Sequence, residues 1–551
     1  MGLIQDRQHS FGHCKGMILI LVMIFLAVFS CLAVSLASMS GSNVQLAWNL
    51  IQADDARYAA ESGIECAMYA INTISLEETN LNYITPDQAN QVWTDLQTYL
   101  QTLNLDGKSV SSSYRFTDAG GSGDMITLSG IGLGDIYADL DISFYRYDSD
   151  VQTIKIKSTG IVGEVTSSVS VDTTISKDSE LLSYAVASRG RMWLTGDTTI
   201  CGDIVSTWNR PEIACFDLTP DTKVIGTLNT VLARDDIESQ GYQLETLDSE
   251  GQPIDVNGNP LQGNYEDRYY GPDDAVQGYH ENINYDQSVA DIPGMDISDY
   301  DTDVYNQGLT DIPSCPVADR EVEYFPHAAG NYNYPRDGSP SSTWDEKLTR
   351  HVYENQIFTD ARLPDNRNAL FRNCTFEGVL YIDCYKSGGS YYNNVRFQDC
   401  TFDGVIVTDV PQQFKWTKNC LYFTGTATFN NQSSIQEATI LAPQFNVNLG
   451  NTNPEQSDNN ILTGAIVGGI VDVRGNAQIY GTIVSMCDTT QWSSGYVTNI
   501  GATLDDGGSE TTELGDIGVI KITPEKEKML PSGIASPIVF SPKQETYSES
   551  L

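Results

Sequence analysis

The chain has 551 residues, enough for two to four domains and a sizeable buried core. Its 73 acidic residues outnumber 31 basic ones, and the net charge of −42 sets it against nucleic-acid backbones and anionic lipid surfaces. Five histidines, no His/Cys cluster and no zinc-type spacing leave transition-metal chemistry little to work with.

Met17 to Ala37 is an unbroken run of apolar and small residues without a charge. About twenty such residues at 1.5 Å rise cross a hydrocarbon core of roughly 30 Å. Past the run no proline occurs before Pro86, and Leu46, Leu50, Ile51, Tyr58, Ile64, Ala67, Met68 and Ile71 recur at three- and four-residue steps. The helix is therefore expected to continue from Met17 to near Ile71, on the order of 80 Å. Arg7 and Lys15 precede the run, whereas Asp54 and Asp55 come before the next cation, Arg57. This charge asymmetry predicts a single-pass protein with residues 1–15 in the cytoplasm and the bulk outside.

Lys15, Gly16 and Met17 open the apolar span, Asn49 follows it, and then comes Ala53-Asp54-Asp55-Ala56-Arg57-Tyr58-Ala59-Ala60-Glu61-Ser62-Gly63-Ile64-Glu65. This order resembles the amino-terminal region of PilX-type minor pilins of type IV pilus systems. Ala59, Ala60, Glu61, Ser62 and Gly63 are its most recognisable part, and about the first 70 residues carry it. The resemblance implies cleavage by a prepilin peptidase between Gly16 and Met17, an inner-membrane location in a bacterium, and partners among other pilin-type subunits or a pilus or secretion assembly machinery. Pilins usually carry a glutamate five residues into the mature chain; Leu21 stands there instead. Two other fates fit the same residues: an uncleaved anchor beginning at Met1, and signal-peptidase cleavage after Ser35-Leu36-Ala37. In the assembly reading, Val44, Leu46, Trp48 and Tyr58 are the expected contacts with neighbouring helices; in the bland one they are buried in their own domain.

Residues 41–105 comprise the rest of this helix and a second one, which Pro86 opens and the stripe Val92, Trp93, Leu96, Tyr99 and Leu100 defines. Within 106–180 the period changes to alternation, as in Thr153-Ile154-Lys155-Ile156-Lys157, with glycine-rich breaks that predict antiparallel strands. A long helix on such a sheet is the α+β pilin-like arrangement, with 16–40 as the membrane span.

Residues 181–500 read as a mainly-β right-handed β-helix or solenoid. Phe371-Arg372-Asn373-Cys374-Thr375-Phe376-Glu377-Gly378-Val379-Leu380 recurs 26 residues later as Phe397-Gln398-Asp399-Cys400-Thr401-Phe402-Asp403-Gly404-Val405-Ile406. Stacked in register, Phe376 falls over Phe402 and Cys374 over Cys400, building a core that no single turn could bury alone. The two cysteines read as small inward-facing residues, with a disulfide as the sharper alternative. A looser copy relates 196–206 to 475–485. Between about 207 and 365 an acidic insertion is expected, in which Asp299, Asp301 and Asp303 offer hard oxygen ligands of the kind calcium takes. A solvated acidic loop is the plainer reading, and no other cofactor is implied. Residues 501–551 hold one strand, 517–522, and a proline-punctuated tail expected to pack along the solenoid or cap it and then to fray.

β-Helix folds often host carbohydrate-cleaving acids, and Asp383, Asp399, Asp403 and Asp409 are candidates. With 73 acids in 551 residues such proximity arises by chance, and no nucleophile elbow, Walker loop or zinc signature is present. The expectation is a non-enzymatic, envelope-anchored protein acting in pilus or pseudopilus assembly or in adhesion. The competing expectation is a tethered carbohydrate-binding or carbohydrate-cleaving β-helix.

Overall fold

A computed structural model describes residues 14–74, 76, 78–103, 108–133, 138–178, 180–212, 214–219, 221–239, 246–247, 253–254, 278–288, 297–326, 345–384, 393–411, 419–430, 438–450, 461–487, 496–501, 517–524 and 530–550. The chain divides into two compact units. One comprises Met1–Leu76, Thr85–Ser176 and Val539–Leu551; the other comprises Glu77–Ile84 and Lys177–Ile538.

In the first unit, helix α1 runs unbroken over Cys14–Asn72. Helix α2, Pro86–Thr102, starts where the sequence signals it. Thr85 accepts from the Gln88 amide at 3.2 Å, and the Gln88 side chain accepts from the Thr85 amide at 2.9 Å. This reciprocal cap satisfies two donors that would otherwise lack partners. Ala89, Val92, Trp93, Leu96 and Leu100 form its buried stripe. Tyr99 departs from the expected set: it is only half-buried, and its hydroxyl reaches Thr73.

Four long antiparallel strands follow: Gly121–Gly132, Asp139–Tyr147, Asp150–Val162 and Val165–Lys177, each paired with the next. Ser109–Val110 and Tyr114–Asp118 pair with the first of them. The alternating burial along Asp150–Val162 turns Ile154, Ile156, Ser158, Gly160 and Val162 inward. The strand Ser536–Ser550 lies beside Val165–Lys177. Within this unit, hydrogen bonds between the Ser170 and Ser548 hydroxyls, from the Asp172 amide to the Thr546 hydroxyl, and between the Ser176 and Ser541 hydroxyls run in descending register, so the pair is antiparallel. The tail expected to fray is therefore an ordered strand. Pro542 is tolerated there because an edge strand needs amides on one side only.

The second unit is built of parallel strands. Val186–Ser188, Arg191–Leu194 and Thr198–Ile200 are followed by Ile204–Ser206, which pairs in parallel with Val186–Ser188. The chain thus returns to the same ladder after one pass. Longer passes carry Ala369–Arg372 and Thr375–Ile382 onto Asn393–Gln398 and Thr401–Thr408, with Phe371 over Phe397 and Phe376 over Phe402. Two aromatic columns result. Tyr353, Phe371, Phe397 and Phe423 stack at 5.0, 5.5 and 5.0 Å between centroids. Phe358, Phe376, Phe402 and Phe429 stack at 5.4, 5.3 and 4.9 Å. Offset and edge-on ring contacts at these distances add to the area that each ring buries.

Corners hold the passes in register. Asn355, Asn373, Asp399 and Gly425 all take left-handed backbone, with φ of 54, 49, 53 and 66°. Their side chains knit adjacent passes together: Asn373 donates to Asn355 at 2.6 Å, and Asp399 accepts from the Thr426 amide at 3.0 Å. Asn and Asp are the side-chain-bearing residues that adopt this conformation most readily. At Gly404 the passes approach so closely that a Cβ would sit 1.8 Å from the Gly378 carbonyl oxygen. Arg320–Pro326 and Asp345–Glu354 of this unit pair antiparallel.

The expected insertion is narrower than 207–365. Phe216–Leu218, Lys223–Val224 and Thr227–Thr230 continue the ladders, and Ile357–Leu363 pairs in parallel with Thr375–Ile382. Strands of two to four residues are too short to show an alternation that sequence can register. The acidic stretch 255–259 lies outside the described residues. The distant copies 196–206 and 475–485 do not touch directly. In one ladder Val186–Ser188 lies between Ile204–Ser206 and Ile483–Ser485; in another Ile517–Thr523 lies between Thr198–Ile200 and Gly475–Tyr480.

Candidate functional site

Between Lys15 and Asp54 no residue of α1 carries a charge, and every residue from Ile18 to Ile51 is exposed. This is the one described helix long and apolar enough to cross a membrane. Lys15, Gly16 and Met17 fall in its first turn. The expected contact residues Val44, Leu46, Trp48 and Tyr58 are 67, 63, 61 and 57 % exposed, so none is spent on its own core. Leu21 is likewise exposed.

From Ala56 onward the helix gains a second face. Ala56, Ala59, Ala60, Ala67, Ala70 and Ile71 are buried, one side of the cylinder at helical spacing. The strand beneath is shaped to match. A Cβ on Gly160 would lie 2.1 Å from the Ala56 carbonyl oxygen and 2.8 Å from the Ala59 Cβ. A Cβ on Gly63 would lie 2.2 Å from the Ser158 hydroxyl and 2.6 Å from a Leu140 methyl. Ala59 and Ala60 of the recognisable motif thus sit where the helix backbone meets Gly160, and Gly63 is small because the Ser158 and Leu140 side chains fill the space its Cβ would need. Glu61 and Ser62 point elsewhere: Glu61 pairs with Arg57 at 3.5 Å, and Ser62 is exposed. The Arg57 guanidinium lies over the exposed Tyr58 ring, 5.4 Å from its centroid. Gly160 is the residue that sequence reading missed; the cue available was a glycine interrupting an otherwise β-rich run.

The acids singled out elsewhere do not converge. Asp301 caps the short 3-10 turn Thr302–Tyr305 by accepting from the Asp303 amide at 3.2 Å, and Asp303 accepts from the Tyr381 hydroxyl at 3.2 Å. The Asp299 side chain lies outside the described residues. Asp383 is held by Arg362, Asp399 serves the corner described above, and Asp409 accepts from the Val410 amide at 2.8 Å. Asp403 stands in register with Glu377. Among the described residues no group of three or more His, Cys, Asp or Glu side chains is placed to hold a metal ion.

Cys374 and Cys400 are free and buried, and Cys215, Cys315, Cys384, Cys420 and Cys487 are buried too. The Cys374 thiol lies 3.4 Å from the Tyr353 carbonyl, and the Cys400 thiol 3.4 Å from the Phe371 carbonyl. Burial pushes both thiols up, Cys400 to about 12, so they remain protonated and poorly nucleophilic. Packing explains them fully.

Comparison with known proteins bears on one stretch. Residues 15–65 match the family model described as PilX N-terminal. No curated protein matches the chain. Three chains among solved structures do. One is the crystal structure of the competence-associated pilin ComZ from Thermus thermophilus, at 14 % identity over 91 % of this chain and 97 % of that one, with a TM-score of 0.28, too low to argue from. Residues 15–65 of this chain are thus similar to the amino-terminal region of PilX-type proteins.

Proposed function

We propose that the chain is a minor pilin-type structural protein, anchored by α1 in the inner membrane of a bacterium with its amino terminus in the cytoplasm. It works by packing rather than by catalysis, joining other pilin-type subunits or their assembly machinery through Val44, Leu46, Trp48 and Tyr58. The observation that carries this reading is the uncovered, uncharged helix from Ile18 to Ile51 on a module whose other face is already committed to its own sheet. An apolar surface of that length is stable only in lipid or against other apolar helices. The parallel ladders of the second unit support reading it as a β-helix that the module displays outside the cell, where it adds an adhesive or spacing surface.

The test uses the full-length protein in its native host. Wild type is expected in sheared surface filaments or in detergent-extracted assembly complexes. A W48D or L46D chain is expected to stay membrane-bound and protease-resistant while its share in those fractions drops at least tenfold. Wild type absent from both fractions, or unchanged recovery of both variants, sinks the proposal. Mass spectrometry of the mature terminus then distinguishes Met1, Met17 and Ser38.

A further inference from the structure

The order of strands in the second unit differs from their order in the chain, and the difference is concentrated at one joint. The earliest passes, 185–230, stack onto the latest, 465–523, on one side, and carry only the short strand Asn282–Asn284 on the other among the described residues. Val186–Ser188 pairs with Ile483–Ser485, Arg191–Leu194 with Tyr496–Ile500, and Thr198–Ile200 with Ile517–Thr523. The joint is dense. Thr482 Oγ1 donates to the Tyr184 carbonyl at 2.7 Å across 298 residues, and the Ile483 amide donates to the Ala185 carbonyl at 3.0 Å. The late strand Ile517–Thr523 sits in its middle. The Ile520 amide donates to the Asp197 carbonyl at 3.1 Å and the Cys201 amide to the Ile522 carbonyl at 2.7 Å, while on the other side the Gly481 amide donates to the Thr523 carbonyl at 2.8 Å. Val519 adds a bond from its amide to the Asn476 side chain at 2.8 Å. Ile520 and Ile522 are fully buried among residues of both groups of passes. Pro524 packs so tightly on Gly202 that a Cβ there would lie 2.6 Å from it.

We propose that Ile517–Thr523 is a closing strand: the passes 185–230 acquire their fold only when this strand arrives, although they are made more than a quarter of the unit earlier. The physical reason is that these passes consist of strands of two to four residues. A repeat unit of that size does not bury its own inward face, and about three stacked copies are needed before a solenoid block is stable. On one side Val186, Met192, Leu194 and Ile200 of the first pass stack on Ile204, Phe216, Leu218 and Val224 of the next; the other side of that pass has no cover until Ile483, Ile500, Ile520 and Ile522 stack on it. The passes from Ala369 to Val473, by contrast, pair with neighbours close in sequence and close without waiting. The carboxyl-terminal strand thus decides when the early passes cease to be a loose, adaptable segment of chain. It also prevents them from setting into a structure of their own before the rest is delivered.

Hydrogen exchange read by mass spectrometry on the full-length, detergent-extracted chain tests this. In Ile520→Ala, and more strongly in I520K/I522K, peptides from 185–230 are expected to exchange at least tenfold faster, while peptides from 393–449 keep wild-type protection. Wild-type protection in 185–230, or equal loss in both regions for Ile520→Ala, overturns the proposal. Pulse labelling during refolding of the wild-type chain is independent of any variant's stability. Protection in 185–230 is expected no earlier than protection in 517–523, and earlier protection there overturns the proposal.

Discussion

The two units cover apolar surface in opposite ways. In the first, each long strand pairs with the strand next to it in sequence, and one helix face seals the sheet by bringing Ala56, Ala59 and Ala60 down on Gly160 and Gly63 down on Ser158 and Leu140. In the second, no pass covers itself; each inward ring is buried by the ring one pass away, 18 or 26 residues along the chain. The first is therefore sensitive to added volume at one plane of contact, and the second to lost volume anywhere in its columns.

Three substitutions or conditions sharpen that contrast. The largest effect is expected from Phe402→Ala. Its ring stacks on Phe376 and Phe429 and lies edge-on to Phe397, so its removal should cost the second unit about 3–5 kcal/mol. Denaturant melts of full-length protein, followed by region-resolved exchange, should show the loss in 357–473 and leave 121–177 unchanged. Next comes Gly160→Val, which drives side-chain atoms into the Ala56 carbonyl. A cost of about 3 kcal/mol is expected, confined to the first unit. The same substitution should leave exchange in 393–449 as in wild type; a loss there would mean that the two units do not fail separately.

The smallest effect concerns Lys177, fully buried, with Nζ donating to the carbonyls of Pro531 and Ile534. Burial pushes its pKa down to about 8. An unfolded lysine titrates near 10.4, so between about pH 8 and pH 10 the unfolded chain binds more protons and stability rises with pH; below pH 8 both states are charged and the penalty is constant. Relative to Lys177→Met, wild type should gain on the order of 1–2 kcal/mol between pH 7.5 and 9.5. A flat difference between the two melts across that range removes this account of Lys177.

Much of this was legible in the sequence, for physical reasons that differ between the units. The uninterrupted helix could be read because nothing between Gly16 and Pro86 stops one. The α2 start could be read because Thr85, Pro86 and Gln88 carry cap chemistry at fixed offsets. Phe376 over Phe402 could be read because the repeat is long and its core residues are large. The passes at 216–230 could not, since three-residue strands carry no period. The joint between 186–206 and 483–523 was equally hidden, because pairing across some 300 residues leaves no local mark. Of the candidate site, the exposure of Val44, Leu46, Trp48 and Tyr58 was not legible, because the same apolar spacing fits a helix face buried in its own domain. The division of labour within Ala59-Ala60-Glu61-Ser62-Gly63 likewise required knowing that Gly160 lies opposite.

The first unit loses its chain at Ser176 and regains it at Val539, and the Ser176 and Ser541 hydroxyls are then 2.8 Å apart on neighbouring antiparallel strands. A tight hairpin turn of a few residues spans such a gap. The long excursion from Lys177 to Ile538 thus leaves and re-enters the chain between two neighbouring strands of one sheet, the connectivity of an insertion at a hairpin turn.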